Sequence, residues 1–225
     1  MASISYRQLT APAIEPVTLA QAKAQMNVDT GFTDDDALIT GYIIAARQFC
    51  EEWMQRAIFN RSVQFTCDNF PYPDYSATTN PVDRHCMYGK FWHQSAIQLP
   101  FPNCVSVESI TYLDNTATQQ TVDAATYFVD VNGEPARIVP KNNLFWPYLD
   151  SYLPGSVTVT FTAGSYGDGE TDDNCPQAIK QAILMLVSYW YGHRDAAETG
   201  APKAIEFAVE ALLGAYRFET FGLVR

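Results

Sequence analysis

Basic residues are scarce in this 225-residue chain: 14 Lys and Arg stand against 25 Asp and Glu, for a formal net charge of −11. No cluster of them occurs, which excludes a protein that grips nucleic acid by its phosphates, because that needs grouped cations to displace counterions. An acidic surface does let DNA pass without sticking. Charged residues of both signs make up only 17%, below the roughly 25% of an average domain, so much of the surface is uncharged and open to contact. Paired cysteine motifs are absent too. Cys50, Cys67, Cys86, Cys104 and Cys175 are odd in number and scattered, which argues against a disulfide framework and for reduced, structural thiols. No run of eighteen apolar residues occurs, and "MASISYRQLTAPAIEP" lacks a basic stretch followed by an apolar one. Neither a membrane span nor a signal peptide is expected.

Catalytic signatures are missing in the same way. There is no GxSxG and no glycine-rich phosphate loop. "DTG" at Asp29 to Gly31 has the letters of an aspartic-protease nucleus, but Met26 and Asn27 precede it, Phe32 follows it, and no second copy supplies a dyad. Capping aspartates are the simpler reading. "DGETDD", from Asp168, spaces carboxylates as calcium would like, yet Ile179 stands where an EF-hand needs its closing Glu. His85, Cys86, His93 and Cys104 follow no recurrent zinc spacing. His193 ends a helical pattern, where a cation suits the dipole. The chain is therefore read as a non-enzyme needing no cofactor and no metal.

What is present is order. "EPVTLAQAKAQMNV" predicts a short helix capped by Thr18, with Gln21 three residues on as in a capping box. A longer helix follows, capped by Thr33 or Asp34. Its apolar positions form two adjoining stripes, Leu38, Tyr42, Ala45, Phe49 and Trp53 beside Ile39, Ile43, Ala46, Cys50 and Met54. A face that wide implies burial on more than one side. From about residue 61 the period changes from 3.6 to 2. "SVQFTCD" and "SVTVTFT" alternate apolar and polar residues as half-buried strands do, with "SAIQLP", "SVESITYLD", "TYFVDV" and "ARIVP" between them. Asn132-Gly133 favours a tight hairpin turn. Long aromatic loops, 70–91 and "NNLFWPYLDSYLP", read as contact surfaces. Helix then returns, with Pro176 at its first position and Ile179, Ile183, Leu186 and Trp190 on one line. A last helix puts Ile205, Ala208, Val209, Leu212 and Tyr216 on one face, and the tail keeps Phe218, Phe221, Leu223 and Val224 beyond the periodic pattern.

The reading is an α+β fold: a discontinuous helical core, 1–60 with 165–225, carrying an inserted antiparallel β domain, 61–164. The succession "EPVTLAQAKAQMNV", "DDDALITGYIIAARQFCEEWMQRAI", "IQLPFPNCVSVESITYLD", "YFVDVNGEPARIVP", "VTVTFTAGSYGDG" and "CPQAIKQAILMLVSYWYGHRD" resembles the head-tail connector, or adaptor, proteins of tailed phages and gene transfer agents. That resemblance implies a structural virion protein assembled in the bacterial host cytoplasm. Copies would form a twelvefold homo-oligomeric ring under the portal protein, extend the DNA channel without specific DNA binding, and receive a tail-side stopper or tail protein. It also implies a portal-binding tail, here Arg217, Phe218, Phe221, Leu223, Val224 and Arg225. The stripes containing Leu38, Tyr42, Phe49, Trp53, Ile183, Leu186 and Trp190 would serve core and subunit interface together. Two other readings compete: a stopper or tail-completion protein, and a carbohydrate-binding or carbohydrate-active protein using Tyr72, Tyr75, Tyr88, Trp92 and Trp146 as a sugar platform.

Overall fold

The computed structural model describes residues 4–71, 96–100, 103–141, 144–149, 153–194 and 202–218. The fold is α+β, and the chain divides into two compact units, 1–11 with 61–163 and 12–60 with 164–225. Residues 4–11 thus group with the sheets, where the sequence pattern places them with the helices.

In the sheet unit, β1 (Ile4–Gln8), β2 (Arg61–Cys67), β4 (Cys104–Leu113), β5 (Gln119–Thr121) and β8 (Val157–Ala163) form one antiparallel sheet in the order β1-β2-β8-β4-β5. A second sheet runs β3 (Ile97–Gln98), β7 (Arg137–Pro140), β6 (Tyr127–Asp130). The alternation in β2 and β8 does what a period of two requires. Val63 pairs with Phe161, Phe65 with Val159 and Cys67 with Val157, all buried on one face. Fully burying a side chain such as Phe161 contributes about 1.5–3 kcal/mol. Strand β4 shifts register twice, between Cys104 and Ser106 and between Val107 and Ser109, which turns Val105 out to solvent. A run of rings, Tyr112, Phe70, Trp146 and Tyr127, links β4 of the first sheet to β6 of the second.

Asn132-Gly133 does not form a tight turn. The β6–β7 register pairs Asp130 with Arg137, so six residues separate the strands, and neither Asn132 nor Gly133 takes a positive φ. The Asp130 carboxylate holds the loop instead, paired to Arg137 at 2.5 Å.

In the helical unit, α1 (Leu19–Gln25) is capped as its sequence predicts: Thr18 Oγ1 accepts from the Gln21 N–H and Gln21 Oε1 from the Thr18 N–H. Helix α2 (Asp36–Met54) begins one or two residues later than its capping motif suggests. Its N-cap is Asp35, not Thr33 or Asp34, and the Asp35 carboxylate is turned away to the Tyr191 hydroxyl and Arg194, each at 2.7 Å. Those bonds, Tyr191 first, hold the Asp35 carboxyl below the usual range. They also bring the end of α3 (Gln177–Gly192) to the start of α2, so these two helices run antiparallel. Pro176 is the N-cap of α3, one place before the position expected. Helix α4 (Pro202–Leu213) and a 3₁₀ turn (Gly214–Tyr216) close the unit. The core gathers Ile39, Ile43, Cys50 and Met54 of α2, Ile179, Ile183, Leu186 and Val187 of α3, and Val209 and Leu213 of α4.

Candidate docking surfaces

The two apolar stripes of α2 have separate fates. Ile39, Ile43, Ala46, Cys50 and Met54 are buried against the unit's own core. The neighbouring stripe faces outward: Leu38 is 36% and Phe49 39% exposed. Tyr42 and Trp53 are half-buried, Tyr42 against Trp190 with ring centroids 6.2 Å apart. Of the α3 residues, Ile183 and Leu186 are buried and Trp190 is half-buried. The wide face therefore supplies one core and one open surface, on which Gly41 has nothing among the described residues within 4 Å of where a Cβ would stand.

The beginning of the tail is tied to the other end of α2. The last turn of a helix leaves carbonyls without intrahelical partners, and the Phe218 N–H donates to one of them, the Met54 carbonyl, at 2.9 Å. The Arg56 guanidinium lies 5.9 Å from the Phe218 ring centroid, and that of Arg217 lies 5.1 Å from Trp53. Phe221, Leu223, Val224 and Arg225 lie outside the described residues.

Charge inside the helical unit is arranged where the sequence shows no sign of it. Arg47 is only 1% exposed, and its Nε donates to Glu15 at 2.7 Å while a terminal nitrogen donates to Glu51 at 2.6 Å. The other Glu51 oxygen accepts the Ile58 N–H at 2.9 Å. Lys23, also buried, pairs with Asp36 and donates to the Phe32 carbonyl at 2.7 Å, closing the loop between α1 and α2. Such residues read as solvent-facing in a sequence. Only the i, i+4 spacing of Arg47 and Glu51 offers a local signal.

The residues weighed for chemistry are dispersed. Asp29 accepts the Gly31 N–H at 2.7 Å in an exposed loop. Asp168 gathers the Thr171 hydroxyl and the N–H groups of Glu170, Thr171 and Asp172, bonds that lower its carboxyl to about 2, Thr171 first. Its oxygens close a turn. His193 stacks on Tyr189 at 4.5 Å and its Nδ1 donates to the Tyr189 carbonyl. Cys50 and Cys175 are buried free thiols, and burial pushes both up to about 12; Cys67 and Cys104 are raised to about 11 by the same cause. Among the described residues no three His, Cys, Asp or Glu side chains gather as metal ligands, and no helix is long and apolar enough to cross a membrane. His85, Cys86 and His93 lie outside the described residues. Trp146 cannot serve as a sugar platform: it is 5% exposed and stacked on Phe70, centroids 5.1 Å apart and planes within 6°. Tyr72, Tyr75, Tyr88 and Trp92 lie outside the described residues.

No protein-family model and no curated relative matches the chain. Solved structures do. A chain in the neck of an empty gene transfer agent particle, computed with C6 symmetry, superposes at a TM-score of 0.70 with 20% identity over 98% of this chain and 99% of that one. The fold is shared with a gene transfer agent neck chain. A chain in the virion of a native gene transfer agent particle matches at a TM-score of 0.69 and 20% identity, covering 97% and 98% of the two chains. A chain in the neck of a native particle, computed with C12 symmetry, matches at 0.67 and 19% identity over 98% and 99%. At such identities the likeness is one of fold. It spans both units and leaves almost nothing of either partner unmatched.

Proposed function

We propose that this chain is a structural subunit of the neck of a phage-like particle, a head-tail adaptor that forms a ring beneath the portal and hands the DNA channel on to the tail. The observation that carries the reading is the end-to-end match to neck chains, 98% of one chain against 99% of the other. The particle neck is then its place, after assembly in the bacterial host cytoplasm. Ring formation is supported by neck structures of this fold computed with C6 and C12 symmetry, and twelve copies is the number proposed. The open stripe of α2 supports it too, because contiguous exposed apolar surface marks contact sites. A head-to-tail contact whose rotation closes produces a cyclic ring. The net charge of −11 suits a wall past which DNA slides unbound.

The portal contact falls to residues 219–225, with Arg217 and Phe218 as the root that fixes them to α2. A tail-side stopper or tail protein meets the opposite end of the ring. Deleting residues 219–225 tests the assignment: far-UV circular dichroism and thermal midpoint stay those of the full chain, while co-purification with the portal is lost. Unchanged portal binding by the truncated chain overturns it.

A further inference from the structure

We infer that the fold shields two bonds of this chain from a chemistry intrinsic to its sequence: the Asp130 carboxylate keeps Gly133 from cyclising onto Asn132, and the donors gathered by Asp168 keep Gly169 from cyclising onto Asp168. The inference goes beyond the neck reading and does not depend on it. One Asn-Gly and one Asp-Gly occur in the sequence. In such pairs the glycine nitrogen, unhindered by a side chain, attacks Cγ of the preceding residue. A carbon–nitrogen bond forms, and the nitrogen's proton departs with the leaving group, as ammonia from asparagine or as water from the neutral acid form of aspartate. Solvent water then opens the succinimide at either carbonyl, giving aspartate or isoaspartate, in which the main chain runs through the side chain. Asn132 is exposed and Asp168 half-buried, so water reaches both.

Both loops ask for glycine, so the labile pairs come with the fold. A Cβ at Gly133 would stand 3.2 Å from the Pro135 carbonyl oxygen and 3.3 Å from the Asp130 carboxylate; at Gly169, whose φ is +83°, it would meet the Phe59 ring at 2.9 Å. Hydrogen bonds restrain what the loops require. The N–H groups of Asn132 and Gly133 donate to the Asp130 carboxylate, which Arg137 pairs at 2.5 Å and holds ionised. An N–H that donates to an anion gives up its proton least readily, because the attacking nitrogen would gather negative charge beside a carboxylate. At the second site the target is disarmed. Asp168 Oδ1 accepts from the N–H groups of Glu170, Thr171 and Asp172, and Oδ2 accepts the Thr171 hydroxyl at 2.7 Å. Those bonds keep the carboxyl ionised where attack needs the neutral acid. The nucleophile is engaged as well, since the Gly169 N–H donates to the Asp172 carbonyl at 3.2 Å.

Peptide mapping by mass spectrometry, on the full chain stored in neutral buffer, tests the shielding, with isoaspartate counted by enzymatic methylation. In the native chain both conversions run about tenfold or more below those of the same chain in urea. Asp130→Ala raises conversion at Asn132 about tenfold and leaves Asp168 slow, and Thr171→Val, of the same shape as threonine, does the reverse. Circular dichroism confirms that each variant is folded, and each carries the other site as its control. Equal rates in native and unfolded chains overturn the inference. So does a folded variant with no gain at its own site, or a gain at both sites from either variant, which marks general loosening. Should Asp130→Ala not fold, Asp130→Asn is read in its place. It keeps the size of the side chain and takes the charge from the Gly133 N–H, and an unchanged rate at Asn132 overturns the inference.

Discussion

An Arg47→Met variant keeps the length of the side chain and takes away its charge, leaving Glu51 in the core without the cation that now lies 2.6 Å from it. Glu15, three-quarters covered, loses the same partner at 2.7 Å. Removing one member of a buried ion pair costs about 3–5 kcal/mol, because the remaining charge stays desolvated. The Ile58 N–H still reaches Glu51, so the lower half of that range, about 3 kcal/mol, is the expected loss. Urea unfolding followed at 222 nm reads it, since the helical unit supplies most of that signal. The decisive comparison is Arg47→Met with Glu51→Gln. Glutamine keeps an acceptor for the Ile58 N–H and sheds the charge, so the double variant recovers most of the lost stability. A single variant that loses less than about 1 kcal/mol, or a double variant no more stable than the single, refutes the argument that Arg47 is held there to balance buried carboxylates.

Gly164→Ala places a Cβ 2.7 Å from the Asn60 backbone nitrogen and Cα, a contact that only a backbone shift relieves; the loss expected from such overpacking is about 1–3 kcal/mol, measured as a lowered thermal midpoint. Asp168 has a depressed folded-state carboxyl, so its contribution is complete above the ordinary carboxylate range near 4 and disappears as pH falls through about 2; an NMR titration placing its midpoint near 4 contradicts the turn described. Iodoacetamide at pH 8 leaves Cys50, Cys67, Cys104 and Cys175 unmodified in the native protein and alkylates all four in denaturant, because burial keeps them as thiols; peptide mapping by mass spectrometry checks it.

Much of this fold is written locally. The capping box of Thr18 and Gln21 spans four residues and needs nothing beyond them. The alternation of Val63, Phe65 and Cys67, matched by Val157, Val159 and Phe161, declares two half-buried strands because successive side chains on a strand point to opposite faces. The two apolar stripes of α2 were legible too, as were the succession of helical, sheet and helical segments and the connector-like order that now meets a neck fold over nearly the whole chain.

Other features have no local cause. Residues Ser5 to Gln8 of strand β1 are exposed, and no core-facing pattern longer than a few residues announces the strand; it exists because β2, far along the chain, offers it an edge, with Tyr6 opposite Phe65. Adjacent stripes on α2 are equally apolar, and only the docking of α3 and α4 decides which is interior and which, with Gly41 and Phe49, stays open. Arg47, Lys23 and Glu51 look like surface residues until Glu15, Phe32 and Ile58 arrive from elsewhere to satisfy them. Pattern reports how neighbours along the chain share a face. The partner across that face, and hence the surface left for another copy, comes from contacts between segments that the sequence keeps apart.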